Sequence, residues 1–524
     1  MQENRAFDHL FGKWPGASGI GSGSYANRPD PSLPARPGNL AISAGETAQF
    51  AVAQGQGPGH SLDDTNVQLF TSRIVAPGTA LKPANDRGFV KDYLRALATD
   101  GVSGAAADAS AVMQTFSPGE LPALSTLASN FVLCDQWFAE VPGPTMPNRL
   151  YMHAATSAGW ARNDWSVALG SVTIYEQLQK NGRTWAVYFS DQNEVAQYSR
   201  INTQRTNFRL YESAFAADAS AGKLPNYCFI IPRFAGSAAD GPVTSMHPPQ
   251  DVRPGDQLIA EVYAALRGGP QWPRCLYVVT FDEHGGYFDH ADPPADVRLG
   301  DQLIAQVYDV LRGGPQWSRC LYVVTFDEHG GYFDHADPPP AVNPDGIDSP
   351  APGDTASFAP TFAFDRLGLR VPTLLVSPYV PKGVVYSKPL QHTSLLATVR
   401  KLFGISGALT RRDAAASTFE DVFLPAARSD TPATLSIGAA AQPAPIDATR
   451  AAPDDYMREL AMEWRRATAG LAGAPAGAVA PTSQDEVHRF VRSQVQLFLD
   501  HRASRSTPRR MRARNPRKRP TVRR

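Results

Sequence analysis

Two stretches of this 524-residue chain are nearly the same. Asp256 to Pro294 recurs at Asp301 to Pro339, an offset of 45, with four positions changed (Glu261/Gln306, Ala264/Asp309, Ala265/Val310 and Pro273/Ser318). Any fold must therefore house two copies of one helix–turn–strand–loop unit. Solenoids and propellers also repeat, but they need three or more units to bury a core. Two near-identical copies fit a duplication inside one domain. In the first copy Leu258, Val262, Ala265 and Leu266 share a helical face, and Gly268-Gly269-Pro270 ends the helix. Cys275 to Phe281 is then a continuous apolar, β-rich run of the kind buried on both faces of a parallel sheet.

Comparable runs at Thr184–Phe189, Tyr227–Ile231 and Pro372–Val376 alternate with helical segments. That alternation predicts an α/β fold around a mainly parallel sheet. One sheet position cannot hold both copies, so the surplus strand is expected to be extruded or added elsewhere, with unpaired edges. Residues 15–60 and 335–360 are rich in Gly, Pro, Ser and Asp and read as long loops. The expected organisation is a catalytic domain over 1–440, a helical extension over 441–500 with amphipathic segments at Asp455–Arg466 and Ser483–Asp500, and a disordered basic tail over 501–524.

Charge narrows the partners. The chain carries 50 basic and 50 acidic residues, but 11 of the basic ones and no acid fall in 501–524, leaving 39 basic against 50 acidic elsewhere. A mildly acidic body argues against a stable nucleic-acid partner, and the tail reads as a solvated arm. The four cysteines show no CxxC spacing and suit buried thiols better than a disulfide framework. Apolar runs such as Leu276 to Val279 fall far short of the about 20 residues that a spanning helix needs. With no signal peptide after Met1, the sequence as written predicts a cytoplasmic protein.

Chemistry in an open α/β sheet gathers past the carboxyl ends of strands. There the repeat places Asp282-Glu283-His284-Gly285-Gly286 and then Asp289-His290, with Asp327-Glu328-His329 in the second copy. Adjacent carboxylates repel unless a cation or donors lie between them, so this cluster is either a divalent-metal site or a solvated polar turn. Near the start, Glu3-Asn4-Arg5 and Asp8-His9 read locally as a helix beginning with acids in its first turn. Val141-Pro142-Gly143-Pro144-Thr145 runs into a helical segment, so Thr145 is either an N-cap or a nucleophile beside a bound anion, with Arg149 one turn on. His60, His247 and His392 stand alone in polar turns, and His392 could simply cap the helix through Leu395–Leu402.

Together, ENRAFDHLFG at 3–12, VPGPTMPNRLYMHAATSAG at 141–159, MHPPQD at 246–251 and the two VVTFDEHGGYFDH segments at 278–290 and 323–335 resemble the bacterial phosphoesterase family. VPTLLVSPYVPKG at 371–383 and QHTSLLATVRKLFG at 391–404 extend the match. That family contains phosphatidylcholine-specific phospholipases C, plant non-specific phospholipases C and acid phosphatases. The resemblance implies an alkaline-phosphatase-like α/β three-layer sandwich. It implies a divalent metal held by Glu3, Asn4 and either Asp282-Glu283 or Asp327-Glu328, with Thr145 as nucleophile. His60, His247 and His284 or His329 would contact the phosphoryl or leaving group, and Asn148 and Arg149 would bind substrate. The implied activity is metal-dependent phospholipase C-type hydrolysis of phosphatidylcholine-like lipids, with transient membrane contact. Alternatives are an acid-phosphatase-like phosphomonoesterase or an inactive paralogue. Family members carry a hydrophobic strand just before the Glu-Asn pair, whereas Glu3 stands two residues after Met1. Either the start lies upstream, which would restore that strand and could restore an export signal, making the protein exported or periplasmic, or a core strand is lacking and the chain is expected to fold poorly.

Overall fold

The computed structural model describes residues 5–21, 23–47, 58–76, 78–99, 109–120, 122–163, 170–191, 193–202, 204–231, 277–280, 322–325, 331, 333–350, 361–432 and scattered positions between 483 and 497. Its helices in chain order are α1 (Phe7–Phe11), α2 (Leu62–Phe70), α3 (Phe89–Thr99), α4 (Pro122–Asn130), α5 (Thr145–Ala154), α6 (Ile174–Lys180), α7 (Ala216–Ser220), α8 (His392–Phe403) and α9 (Arg411–Ala415). Its strands are β1 (Ala26–Asn27), β2 (Ile42–Ser43), β3 (Gly45–Thr47), β4 (Gln114–Phe116), β5 (Val132–Cys134), β6 (Trp137–Phe138), β7 (Trp185–Phe189), β8 (Phe208–Leu210), β9 (Tyr227–Ile231), β10 (Tyr277–Thr280), β11 (Tyr322–Thr325), β12 (Thr373–Val376), β13 (Val384–Tyr386) and β14 (Leu390–Gln391).

The alternation of these elements is the α/β architecture expected, and the two larger sheets are mostly parallel. One sheet runs β8–β7–β9 with parallel pairing throughout. The other runs β10–β11–β12–β5–β13, in which β12 alone is antiparallel to its neighbours. Central strands read as unbroken apolar runs because both faces are covered: all five residues of β7 and all four of β12 are buried.

Of the two fates expected for the surplus strand, the structure shows addition and not extrusion. The two strands of the duplicated unit lie side by side in the same sheet, parallel, with Tyr277 opposite Tyr322 and Thr280 opposite Thr325. The second copy takes the inner place, pairing with β12 on its other side. The first is the end strand of that sheet, and it lies against β9, the end strand of the other. Neither is extruded. A strand nearly identical to its neighbour presents the same backbone and the same side chains, so the sheet can accept it in register without rearrangement.

Helix boundaries follow local chemistry. Ser61 opens α2 with a capping box closed by Asp64, and Thr173 opens α6 with one closed by Glu176. Gly404, at φ 67°, ends α8 in the left-handed conformation that glycine tolerates best. His392 is the first residue of α8 and not its cap: the cap position is Gln391, whose backbone N–H donates to Ser394 Oγ at 3.0 Å. His392 Nδ1 instead accepts from Trp137 Nε1, at 3.2 Å.

One large hydrophobic core spans both sheets and includes α5, α6 and α8. A second, formed by α2, α3 and the segment 109–113, takes in Phe333 of the second copy and Leu369. Described residues from Glu486 to Leu497 are helical, and Val487 and Val491 are fully buried in the large core. The Asp455–Arg466 segment and the basic tail lie outside the described residues. No helix among the described residues is long and apolar enough to cross a membrane.

Because β11 holds the inner position, deleting residues 256–300 should leave the rest of the sheet in place. We expect the single-copy variant to unfold cooperatively and keep its near-ultraviolet circular dichroism. A non-cooperative or insoluble product would show that β10 is required.

Candidate active site

Thr145 is the first residue of α5 and is fully buried. Pro144 holds the N-cap position in extended conformation with no side-chain cap. The Thr145 hydroxyl is therefore not the helix cap, one of the two roles its sequence context allowed. Pro147 stands in the first turn, where an absent N–H leaves no helical bond unmade. The Met146 N–H donates to Asn163 Oδ1 at 2.9 Å, so one of the free helix-end donors is already engaged.

The loop leading to Thr145 is braced from both sides. Asn148 Oδ1 accepts from the backbone N–H groups of Glu140 and Val141, both at 2.9 Å. Its amide donates to the carbonyls of Gly143, Pro144 and Val141 at 3.0, 3.2 and 3.3 Å. These bonds engage both lone pairs and both amide hydrogens. Asn148 thus fixes the loop that leads to Thr145. On the other side, the buried Glu140 carboxylate accepts from Thr393 N and Thr393 Oγ1, both at 3.2 Å, and from Gln391 Nε2 at 2.9 Å. Arg412 adds an ion pair at 3.4 Å and donates to the carbonyls of Val342 and Phe364. Burial raises the Glu140 carboxyl, and Arg412 opposes the shift. Gly368 allows the remaining close approach: a Cβ there would lie 2.6 Å from the Val141 carbonyl oxygen.

Arg149 is also buried, one turn below Thr145. Its Nη1 donates to Glu194 Oε1 at 3.0 Å, and His153 Nε2 lies 3.3 Å from the same oxygen. Tyr175 places its hydroxyl 3.1 Å from His153 Nδ1. Burial alone would raise the Glu194 carboxyl, but the Arg149 charge and the His153 hydrogen bond outweigh it and hold the group at about 2. Burial pushes His153 down, keeping the imidazole neutral. The Arg149 charge is thus paired inside the protein with Glu194.

His60 is half-buried in the turn before α2. The start of α2 packs on the Thr145 loop, since a Cβ on Gly143 would lie 3.8 Å from Leu62 N and Leu62 Cβ. Of the residues that the resemblance selects, the structure thus brings Thr145, Asn148, Arg149 and the His60 turn together. Glu3, Asn4, His247, Asp282, Glu283, His284, Asp327, Glu328 and His329 lie outside the described residues.

A second cluster joins distant segments. Asp8, Asp334 and His335 offer ligand atoms within 4.8 Å of one another, a spacing open to a metal ion. Arg370 already lies among them. Its Nε donates to Asp334 Oδ2 at 3.0 Å and Oδ1 at 3.2 Å, and its Nη2 to Asp334 Oδ1 and, at 3.3 Å, to Asp8 Oδ1. Its Nη1 reaches the carbonyls of Ser18 and, at 2.8 Å, Asp135. His335 donates its backbone N–H to Asp8 Oδ2 at 2.8 Å and sets Nδ1 2.7 Å from the same atom. Burial raises Asp8 to about 6, reinforced by Asp334 and opposed by Arg370, whereas Arg370 holds Asp334 low against the effect of burial. His335 is raised: burial lowers it, but Asp8 prevails. A fixed guanidinium facing both carboxylates makes this donor set fit an internal salt bridge and not a divalent cation.

Asp334, His335 and Arg370 were not singled out by sequence reasoning. Their signal was a shared tripeptide: Phe-Asp-His occurs at 7–9, 288–290 and 333–335. Phe7 stacks under the Arg370 guanidinium at 4.6 Å, so the first and third occurrences meet on one arginine.

Two outcomes follow. Lysine cannot reproduce the fork of donors, so Arg370→Lys should cost about 3–5 kcal/mol in denaturant unfolding. For Glu194, a folded pKa below the unfolded value means stability that is present above about pH 4.3 and lost as pH falls toward about 2. Melting temperatures taken from pH 6 to pH 2.5 should therefore fall less steeply below pH 4.3 in Glu194→Gln than in the parent.

The family model described as "Phosphoesterase family" matches residues 1–296 and 293–406, two segments that meet at the junction of the duplicated copies. The chain is 32% identical to non-specific phospholipase C3 of Arabidopsis thaliana over 453 residues, 83% of this chain and 74% of that protein. It is 32% identical to non-specific phospholipase C6 of the same plant over 525 residues, 95% and 85% of the two chains. Phospholipase C A of Mycobacterium tuberculosis is 26% identical over 438 residues, covering 77% of this chain and 72% of that one. Among solved structures, a protein in the alkaline phosphatase superfamily from Vibrio parahaemolyticus overlaps 57% of this chain and 65% of its own, with 12% identity and a TM-score of 0.31. With its ordered motifs, its α/β fold and a family match over most of its length, this chain belongs to the phosphoesterase family.

Proposed function

We propose that the protein is a phosphodiester hydrolase of phospholipase C type, acting on phosphatidylcholine-like lipids with Thr145 as nucleophile. The observation that carries this reading is the placement of Thr145: a hydroxyl at the first residue of a helix, not used as its cap, on a loop braced by Asn148 and Glu140. A nucleophile must be held close to its attack geometry, and small misplacements are costly. The helix N-terminus also favours the anionic phosphoryl group. The names of the plant and mycobacterial relatives support the substrate class.

In this mechanism Thr145 Oγ attacks phosphorus, forming a phosphothreonine as the bond to the diacylglycerol oxygen breaks. A histidine, His247 or the repeat-motif His284 or His329, protonates that oxygen, and His60 contacts the phosphoryl oxygens. Water then releases the headgroup phosphate and restores the hydroxyl. A divalent cation held by Glu3, Asn4 and one Asp-Glu pair of the repeat would lower the hydroxyl's pKa and offset the phosphoryl charge. Contact with the lipid surface is transient and follows the substrate.

The test is release of p-nitrophenol from p-nitrophenyl phosphorylcholine, with p-nitrophenyl phosphate in parallel and with and without chelator. We expect diester turnover that chelation stops and that Thr145→Ala lowers by at least about 10³-fold in kcat with circular dichroism unchanged. Preference for the monoester would favour the phosphatase reading. Turnover that survives Thr145→Ala would overturn the nucleophile, and folded protein silent on both substrates would indicate an inactive paralogue.

A further inference from the structure

We propose that Gln68 is a positioning residue for His60, acting through the backbone of the turn that carries it. The inference rests on the reading above, in which His60 contacts the phosphoryl group. Gln68 lies in α2, two turns past that turn, and its buried amide Nε2 donates at once to the Gly59 carbonyl at 2.8 Å and to Asp92 Oδ2 of α3 at 2.9 Å. The carbonyl it holds belongs to the residue immediately before His60. A buried acceptor on α3 is thereby tied to the peptide that orients the imidazole.

The far side of the turn is held independently. Asp64 Oδ2 accepts from Ser61 N at 2.9 Å and from Ser61 Oγ at 2.7 Å, fixing the residue immediately after His60. Asp64 also lies directly against Gly59, where a Cβ would come within 2.6 Å of its Cγ. Only glycine admits that approach. Arg95 completes the clamp from α3 with an ion pair to Asp64 and a contact of 2.8 Å to Asp92 Oδ1. His60 is thus gripped through both neighbours by α2 and α3. The same α2 end packs beside Gly143, two residues before Thr145.

If Gln68 served only to join α2 to α3, its loss would lower stability and leave the reaction alone. If it positions His60, its loss should lower kcat, and the effect should vanish once His60 is gone. A double-mutant cycle separates the two. Gln68→Met keeps the side-chain length and removes the donors. On p-nitrophenyl phosphorylcholine we expect it to lower kcat about 10- to 100-fold with KM little changed. In a His60→Ala background it should lower kcat no further. Gly59→Ala, which displaces the turn without touching Gln68, should show the same dependence on His60 and serves if Gln68→Met does not fold. A His60→Ala loss on which either substitution acts multiplicatively would overturn the inference while leaving the role of His60 intact. A His60→Ala enzyme as active as the parent would overturn that role and the inference with it.

Discussion

The five donors of a single buried guanidinium hold together parts of the chain that are far apart in sequence. Arg370 bonds the carboxylates of Asp8 and Asp334 and the carbonyls of Ser18 and Asp135. It thereby joins the first helix, the loop after it, the junction of β5 with β6 and the end of the second repeat copy. Removing a charge of this kind from water is costly, and only a full complement of acceptors in the right plane offsets the cost. Arg370 has that complement. Its own segment runs beside the Thr145 loop, with Gly368 N–H donating to the Ala139 carbonyl at 2.9 Å. The arginine and the loop are therefore registered to one another through backbone alone.

From there the order passes outward. Glu140 ties the loop to the start of α8 and to Arg412, while Asn148 ties it to the helix it precedes. Below, Arg149, Glu194, His153 and Tyr175 form a buried chain of polar groups. Each member bonds its neighbour, which fixes how the four side chains pack against one another. Charge on the helix carrying Thr145 is settled within the protein before any ligand arrives.

Much of this was legible in the sequence, and the limits are instructive. The strand Trp185–Phe189 could be read because a strand buried on both faces is apolar without interruption, and Tyr227–Ile231, with one face fully buried and the other partly so, is apolar as well. Thr145 could be placed at a helix start because the Pro- and Gly-rich run before it leads into a helix-like segment. The contacts of Asn148 and Arg149 could not be read, since sequence does not say that one side chain meets its own loop and the other a buried carboxylate. Arg370 was missed for a related reason: its partners lie as many as 362 positions away, and no local pattern encodes such a meeting. Where the surplus strand of the repeat goes could not be read from sequence either, and the structure shows that the sheet widens to take it.

That widening has a wider meaning. Adjacent strands of nearly identical sequence, paired parallel with each residue opposite its own duplicate, make a pairing indifferent to which copy is which. Ordinary insertions must find a new packing partner for every side chain they bring. A duplicated strand arrives beside the one surface already shaped to match it, so a sheet can gain a member in one genetic event without solving its register again.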